Sequence, residues 1–207
     1  MQYFEQPQIK HLNELIVYMY TDDGAYTFGS TKNLNDLIMG STEDSSSLSP
    51  QFSVLNHDVN NDGKPDQLEI NIKFNADGSK IRNIALLQTV IYSISDQIEA
   101  DIKVRMMNDF DTPNGVSKLS AQGTLDLLQK QNFAIGKVER EIGFELENDL
   151  GNLLRRENIM DFMMQKFSKN TTAEFNVQST YITTSSNNGV DQSELVEIQM
   201  LIDIPVL

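Results

Sequence analysis

The sequence contains no cysteine, which excludes disulfide bonds, thiolate metal sites and a cysteine nucleophile. Basic residues are also scarce, because 16 lysines and arginines stand against 30 acidic residues and leave a net charge of -14. A charge of this sign opposes binding to the phosphate backbone of nucleic acids and to anionic membrane surfaces. We therefore expect no nucleic-acid partner.

The residues that most catalytic sites need are equally sparse. Only two histidines, His11 and His57, are present, and neither lies beside a glycine-flanked serine. The sequence therefore offers few residues from which a serine hydrolase triad could form. It also contains no phosphate-binding loop and no dinucleotide-binding fingerprint. Carboxylates are so numerous that no single pair stands out as glycosidase machinery. We expect a protein that is not an enzyme.

Long apolar runs are missing too. The longest, residues 84–94, is interrupted by Gln88 and Thr89 and predicts a buried strand rather than a membrane span. No charged leader with an apolar run follows Met1. At 207 residues and 39% hydrophobic composition the chain can bury a substantial core, and we predict one domain over residues 1–207.

The most informative stretch that is present is an acidic loop after His57. Counted from Asp58, oxygen-bearing side chains occupy positions one, three, five, nine and twelve, which is the ligand spacing of a calcium-binding loop. Gly63 occupies position six, where such a loop turns sharply. Lys64 at position seven can offer its main-chain carbonyl. This spacing predicts a calcium site with these candidate ligands: Asp58, Asn60, Asp62, Lys64, Asp66 and Glu69.

The residues after this loop exclude an EF-hand. Residues 67–74 alternate polar and apolar side chains, which predicts a half-buried strand where an EF-hand would place a helix. The alternative interpretation is a plain turn between two strands, since Asp, Asn and Gly favour turns whatever they bind.

The remaining pattern predicts a mainly β protein, an antiparallel β-sandwich with one inserted α-helix. The helix is predicted over about residues 150–167, where apolar residues return every three or four positions. A short helical turn is expected from Leu34 to Met39. The predicted strands are residues 14–20, 25–30, 52–55, 67–74, 83–95, 98–107, 118–129, 138–146, 173–184 and 194–204. The strands predicted at residues 83–95 and 98–107 are long, so we expect both in the middle of a sheet. The absence of βαβ alternation argues against a parallel sheet.

The order of several motifs along the chain resembles the transmembrane protein 231 family, nearly from end to end. The most specific parts are residues 58–66 and residues 123–131. The others are the Tyr-Phe-Glu-Gln-Pro segment 3–7, the Thr-Asp-Asp-Gly turn 21–24, the sequon Asn170-Thr171-Thr172 and a final strand that ends Ile204-Pro205. The sequon makes Asn170 a candidate N-glycosylation site.

The resemblance implies a ciliary transition-zone membrane protein with one membrane helix before and one after this region. The chain would then be the isolated ectodomain, a glycoprotein module outside the membrane. Its implied partners are the tectonics and the Meckel-syndrome proteins, with which the family controls access to the cilium. An alternative of another class is a soluble calcium-dependent adhesion or glycan-binding module, which the loop and the sandwich alone would also allow. Membrane helices in the full gene favour the first interpretation, and a secretory leader or repeated modules favour the second.

Overall fold

The computed structural model describes residues 7–39, 50–94, 100–129, 171–184 and 194–204. These ranges contain nine strands, one α-helix and one short 3-10 helix, Gly78–Lys80. The helix α1 spans Lys32–Met39. The strands are β1 (Gln8–Thr21), β2 (Gly24–Gly29), β3 (Gln51–His57), β4 (Gln67–Ala76), β5 (Ile81–Ile94), β6 (Ala100–Asp111), β7 (Lys118–Gln129), β8 (Thr171–Thr183) and β9 (Glu194–Asp203).

Two sheets enclose the core. A four-stranded sheet has the order β2-β1-β5-β6, and a five-stranded sheet has the order β3-β4-β9-β7-β8. Strands β4 and β9 alternate strictly, so their even-numbered residues from 68 to 74 and from 196 to 202 are buried and face the first sheet. Strand β5 is central, and every residue from 84 to 90 is buried. The antiparallel β-sandwich predicted from the sequence is confirmed.

Two details differ from the prediction. Strand β6 lies at the edge of its sheet, where all of its residues pair with residues 83–94 of β5 in a long hairpin. Strands β7 and β9 are parallel, although all other pairs in the described residues are antiparallel. Strands β8 and β9 lie on either side of β7 and run in opposite directions. Because β8 is antiparallel to β7, β9 must be parallel to it.

The predicted helix at about 150–167 and the predicted strand at 138–146 lie outside the described residues. The expected helical turn at 34–39 is α1, which begins two residues earlier. Its start is explained by Thr31, whose hydroxyl accepts a hydrogen bond from the Leu34 amide at 3.2 Å, as a helix-capping residue does.

The two ends of the sandwich are built differently, and we name them for what they contain. At the crossover pole, residues 77–80 carry the chain from β4 to β5 and residues 112–117 carry it back from β6 to β7. At the opposite end, the loop pole, residues 58–66 join β3 to β4. Strand β1 begins and strand β9 ends away from the crossover pole, since Gln8 pairs with Ser93 and Asp203 pairs with Gln67.

Candidate functional site

The acidic loop predicted from the sequence is the turn of the β3–β4 hairpin. Its neck is closed by a hydrogen bond from the Asp66 amide to the His57 carbonyl at 2.8 Å. The chain reverses through two left-handed residues, Asn61 at φ 61° and Gly63 at φ +86°. Asparagine and glycine are the residues that adopt this conformation most readily, which explains their position here.

Carboxylates hold the main chain of this loop in place. Asp58 accepts hydrogen bonds from the amides of Asp62 at 3.1 Å and Gly63 at 2.9 Å. Asp66 accepts from the amides of Val59 at 2.7 Å and Asn60 at 3.0 Å. Two acidic side chains from opposite ends of the loop therefore satisfy four of its main-chain donors, so carboxylate oxygens supplement the main-chain bond at the neck.

The side chain of Asn60 lies between two of the carboxylates. Its amide nitrogen donates to Asp62 Oδ2 at 3.3 Å and to Asp66 Oδ1 at 3.1 Å. Its amide oxygen accepts from the Asp62 main chain at 2.9 Å, and Asp62 in turn accepts from the Lys64 main chain at 2.8 Å. The positive end of the Asn60 amide dipole therefore offsets part of the repulsion between the two carboxylates.

Glu69 belongs to a different cluster on the outer face of the second sheet. It accepts hydrogen bonds from Asn71 and Gln199, both at 2.9 Å, and its other oxygen lies 2.7 Å from His57 Nε2. These contacts, that from Asn71 foremost and then those from Gln199 and His57, lower the pKa of Glu69 to about 2. The structure thus places the predicted ligand of position twelve against the sheet, with its hydrogen-bond partners on β3, β4 and β9.

The predicted ligands are therefore only partly brought together. Asp58, Asn60, Asp62 and Asp66 share one hydrogen-bonded loop with the Lys64 main chain. Within the described part of the chain, no group of three or more His, Cys, Asp or Glu side chains is gathered closely enough to hold a metal ion. Each carboxylate oxygen nevertheless retains lone pairs beyond the main-chain bonds it accepts. A cation would have to draw these carboxylates inward and displace the Asn60 amide from between them.

Two members of the Glu69 cluster escaped the sequence analysis. Alternation along β4 and β9 predicts that Asn71 and Gln199 face outward, but only the pairing of these strands brings them to Glu69. That pairing joins segments more than a hundred residues apart, and no local sequence pattern predicts it. The candidate glycosylation site Asn170 lies outside the described residues, immediately before β8.

These features define an antiparallel β-sandwich module that carries an Asp/Asn loop at one pole. Among the residues described, no helix combines the length and the apolar character needed to cross a membrane. The chain belongs to the transmembrane protein 231 family, whose profile matches residues 1–207. The family identified from the sequence motifs is thereby confirmed. Comparisons with curated proteins and with solved structures gave no match.

Proposed function

We propose that the chain is the non-enzymatic ectodomain of a ciliary transition-zone membrane protein. In this role it contributes to cilium assembly and to the diffusion barrier that controls the composition of the ciliary membrane. The observation that carries the proposal is the family match over all 207 residues. The tectonics and the Meckel-syndrome proteins are the proposed partners, and the extracellular side of the transition-zone membrane is the proposed location.

The direction of the first and last described strands supports attachment to one bilayer. Strand β1 starts and strand β9 ends at the loop pole, so flanking membrane helices would leave the domain from the same side. The loop pole would then face the membrane and the crossover pole would point away from it. Anchors leaving opposite poles would be hard to reconcile with a domain of this size.

A surface for partner proteins is available on the outer face of the second sheet. Three large apolar or aromatic side chains are exposed there, Leu55 to 48%, Tyr181 to 67% and Leu195 to 52%. Aromatic residues are enriched at protein interfaces because one end is apolar and the other forms hydrogen bonds. The matched residue on the first sheet is Tyr20, which is exposed to 54%.

The proposal is tested by proximity labelling from the full-length membrane protein in ciliated cells. We expect tectonics and Meckel-syndrome proteins to be enriched over an unrelated ciliary membrane protein. The variant Tyr181→Ser should reduce that enrichment more than Tyr20→Ser, because Tyr181 shares its face with Leu55 and Leu195. If transition-zone proteins are not enriched by the unaltered protein, the proposed function is wrong.

We also propose that the loop at residues 58–66 binds calcium through Asp58, Asn60, Asp62 and Asp66. Oxygen ligands and a flexible, glycine-turned loop are what calcium requires, and extracellular modules bind it with a Kd of about 0.1 to 1 mM. The support is the arrangement of three carboxylates and one amide in a single hydrogen-bonded loop. Glu69 is the least suited ligand, because its oxygens already contact three side chains of the sheet.

Thermal unfolding measures this binding. Calcium at about ten times the Kd should stabilise the folded chain by about 1.4 kcal/mol, which raises the Tm by about 3 to 6 °C. Asp62→Ala should abolish the response. Lys64→Ala should preserve it, since position seven contributes only its carbonyl, and Glu69→Gln should preserve it as well. A Tm that ignores both millimolar calcium and chelator would identify the loop as an ordinary acidic turn.

Glycosylation of Asn170 follows from the proposed extracellular location. The sequon Asn170-Thr171-Thr172 would meet the glycosylation machinery during secretion. Expression in mammalian cells should give a chain whose apparent mass falls on treatment with a glycosidase. Asn170→Gln should remove that difference. If the unaltered protein shows no shift although it reaches the cell surface, the glycosylation prediction is wrong.

A further inference from the structure

Two amide side chains inside the sandwich carry buried polar atoms that have no hydrogen-bond partner within the protein. Gln88 on β5 is 0% exposed, and neither its nitrogen nor its oxygen forms a hydrogen bond within the protein. Asn108 on β6 is 5% exposed, and its side-chain oxygen is also unpaired. A buried polar atom that makes no hydrogen bond is destabilising, so unpaired atoms on two neighbouring amides call for a physical explanation.

The register places both amides on the inner face of the first sheet. Gln88 lies opposite Leu15 on one side and Met106 on the other, and both of these neighbours belong to the hydrophobic core. Asn108 lies opposite Leu86, which is also part of the core. The two amides are therefore diagonal neighbours on adjacent antiparallel strands, with no other residue of that face between them.

Diagonal neighbours of this kind are separated by about 7 to 8 Å at the main chain. Two hydrogen bonds that meet at one water oxygen link groups about 5 to 6 Å apart. Amide side chains that lean toward each other from diagonal positions fall within that reach. Buried waters typically make about three hydrogen bonds to polar groups that the protein leaves unsatisfied, and Gln88 and Asn108 together offer donors and acceptors for them.

We propose that Gln88 and Asn108 form a binding site for an ordered internal water that joins β5 to β6 within the core. The water supplies each amide with the partner that the surrounding leucine and methionine side chains cannot provide. The pair also favours the observed register of the β5–β6 hairpin, because a slip of one residue would turn one amide to the other face of the sheet and leave the other without the shared water.

A double-mutant cycle measured by urea unfolding of the 207-residue chain tests the site. Gln88→Met and Asn108→Leu each remove one polar partner and leave the other amide buried. Each should shift the unfolding equilibrium constant about ten-fold toward the unfolded state. The double variant, which leaves neither amide unsatisfied, should lie within about three-fold of the unaltered chain. Met106→Leu, a substitution on the same face without a polar group, controls for repacking.

The cycle decides between a bridged pair and two independent amides. If both single variants stabilise the chain and their effects add, the amides are dry and uncoupled, and the proposal fails. A crystal structure at about 1.8 Å gives a second readout that does not depend on folding of the variants. It should show a water oxygen within hydrogen-bond distance of both side chains, and a direct hydrogen bond from Gln88 to Asn108 without water would overturn the proposal.

Discussion

The two poles of the sandwich use similar residues in opposite ways. At the crossover pole the main chain bonds to itself, as in the hydrogen bonds from Val116 to the Gly78 carbonyl at 2.8 Å and from Thr112 to the Arg82 carbonyl at 2.8 Å. At the loop pole the side chains of Asp58 and Asp66 bond the main chain. Peptide groups therefore join the two connections of the crossover pole, where Asp77 also accepts from the Ser79 amide at 3.1 Å, whereas the loop pole depends mainly on its carboxylates.

The groups that contact the carboxylates also differ between the two poles. At the crossover pole Asp22 pairs with Arg82, and Lys80 contacts Asp23 at 3.0 Å and Asp77 at 3.6 Å. At the loop pole the acidic side chains face main-chain amides and the side chain of Asn60. Opposite charges thus neutralise acidic groups at one pole, whereas dipoles stabilise them at the other. Calcium should consequently act mainly on the loop pole.

Glycine substitutions should separate the two poles most clearly. Gly115 has a φ of +78°, and a Cβ there would lie 2.7 Å from the Gly78 carbonyl oxygen and 2.8 Å from the Ser79 Cα. Gly115→Ala therefore combines a left-handed conformation, which costs about 1 to 2 kcal/mol, with an overpacked contact that costs about 1 to 3 kcal/mol. We expect a loss of about 2 to 5 kcal/mol in the free energy of unfolding, measured by urea denaturation.

Gly63 provides the matched control at the loop pole. Its φ of +86° is similar, but a Cβ there would meet no atom within 4 Å. Gly63→Ala should therefore show only the conformational cost of about 1 kcal/mol. Equal losses for the two variants would mean that the close packing of residues 112–117 against residues 77–80 contributes nothing, and the contrast between the poles would not hold.

Acid should reveal the carboxylate that flanks the loop pole. A hydrogen bond to a charged group stabilises the folded state by about 1.5 to 3 kcal/mol. Glu69→Ala should therefore lower the free energy of unfolding by about 2 kcal/mol at pH 7. The pKa of Glu69 is lowered from 4.5 to about 2 in the folded chain. The stabilisation is therefore fully present above about pH 4.5 and is lost as the pH falls toward 2.

The measurement is the difference between the unaltered chain and Glu69→Ala in urea unfolding at several pH values. That difference should shrink between pH 5 and pH 2. Glu197→Ala is the control, because Lys73 also lowers the pKa of Glu197 but the pair lies on an exposed part of the same face. A constant difference for Glu69→Ala across this range would show that its hydrogen bonds do not favour the ionised form.

The sequence predicts these features unevenly, for reasons that single residues make plain. The alternation of Leu68, Ile70, Ile72 and Phe74 is local, so both the strand and its buried face follow from it. The left-handed turn at Gly63 is local too. Glu69 is different, because its position in a calcium-type loop is a local pattern, whereas its contact with Gln199 depends on the pairing of β4 with β9. Local spacing proposed one role for this carboxylate, and the sheet gives it another set of partners.

The edge position of β6 and the parallel pair β7–β9 were missed for the same reason. The length of a strand indicates only how many residues pair with a neighbour. A strand in a long hairpin at the edge of a sheet can be as long as a central strand, as β6 is. The order of strands in a sheet is set by which faces bury the core together, and that information is distributed over the whole chain.

Salt should produce the smallest effect, by screening an attraction at the crossover pole and a repulsion at the loop pole. Arg82 forms a two-pronged pair with Asp22, with one contact at 2.8 Å, and also donates to the Ser79 carbonyl at 2.8 Å. The pair is partly exposed, so Arg82→Met should cost only about 0.5 to 1 kcal/mol at low salt. Because 1 M salt shortens the Debye length to about 3 Å, the unaltered chain should lose most of that advantage over the variant. At the loop pole, Asn60→Asp replaces the amide between Asp62 and Asp66 with a fourth carboxylate of the loop, so this variant should be less stable than the unaltered chain at low salt, and 1 M salt should shrink that deficit too. Urea unfolding of all three proteins at 0.05 and 1 M NaCl gives both slopes. If Asn60→Asp is as stable as the unaltered chain at 0.05 M NaCl, or if its deficit does not shrink at 1 M NaCl, the amide of Asn60 does not relieve repulsion in the loop and the proposed electrostatic difference between the poles is wrong.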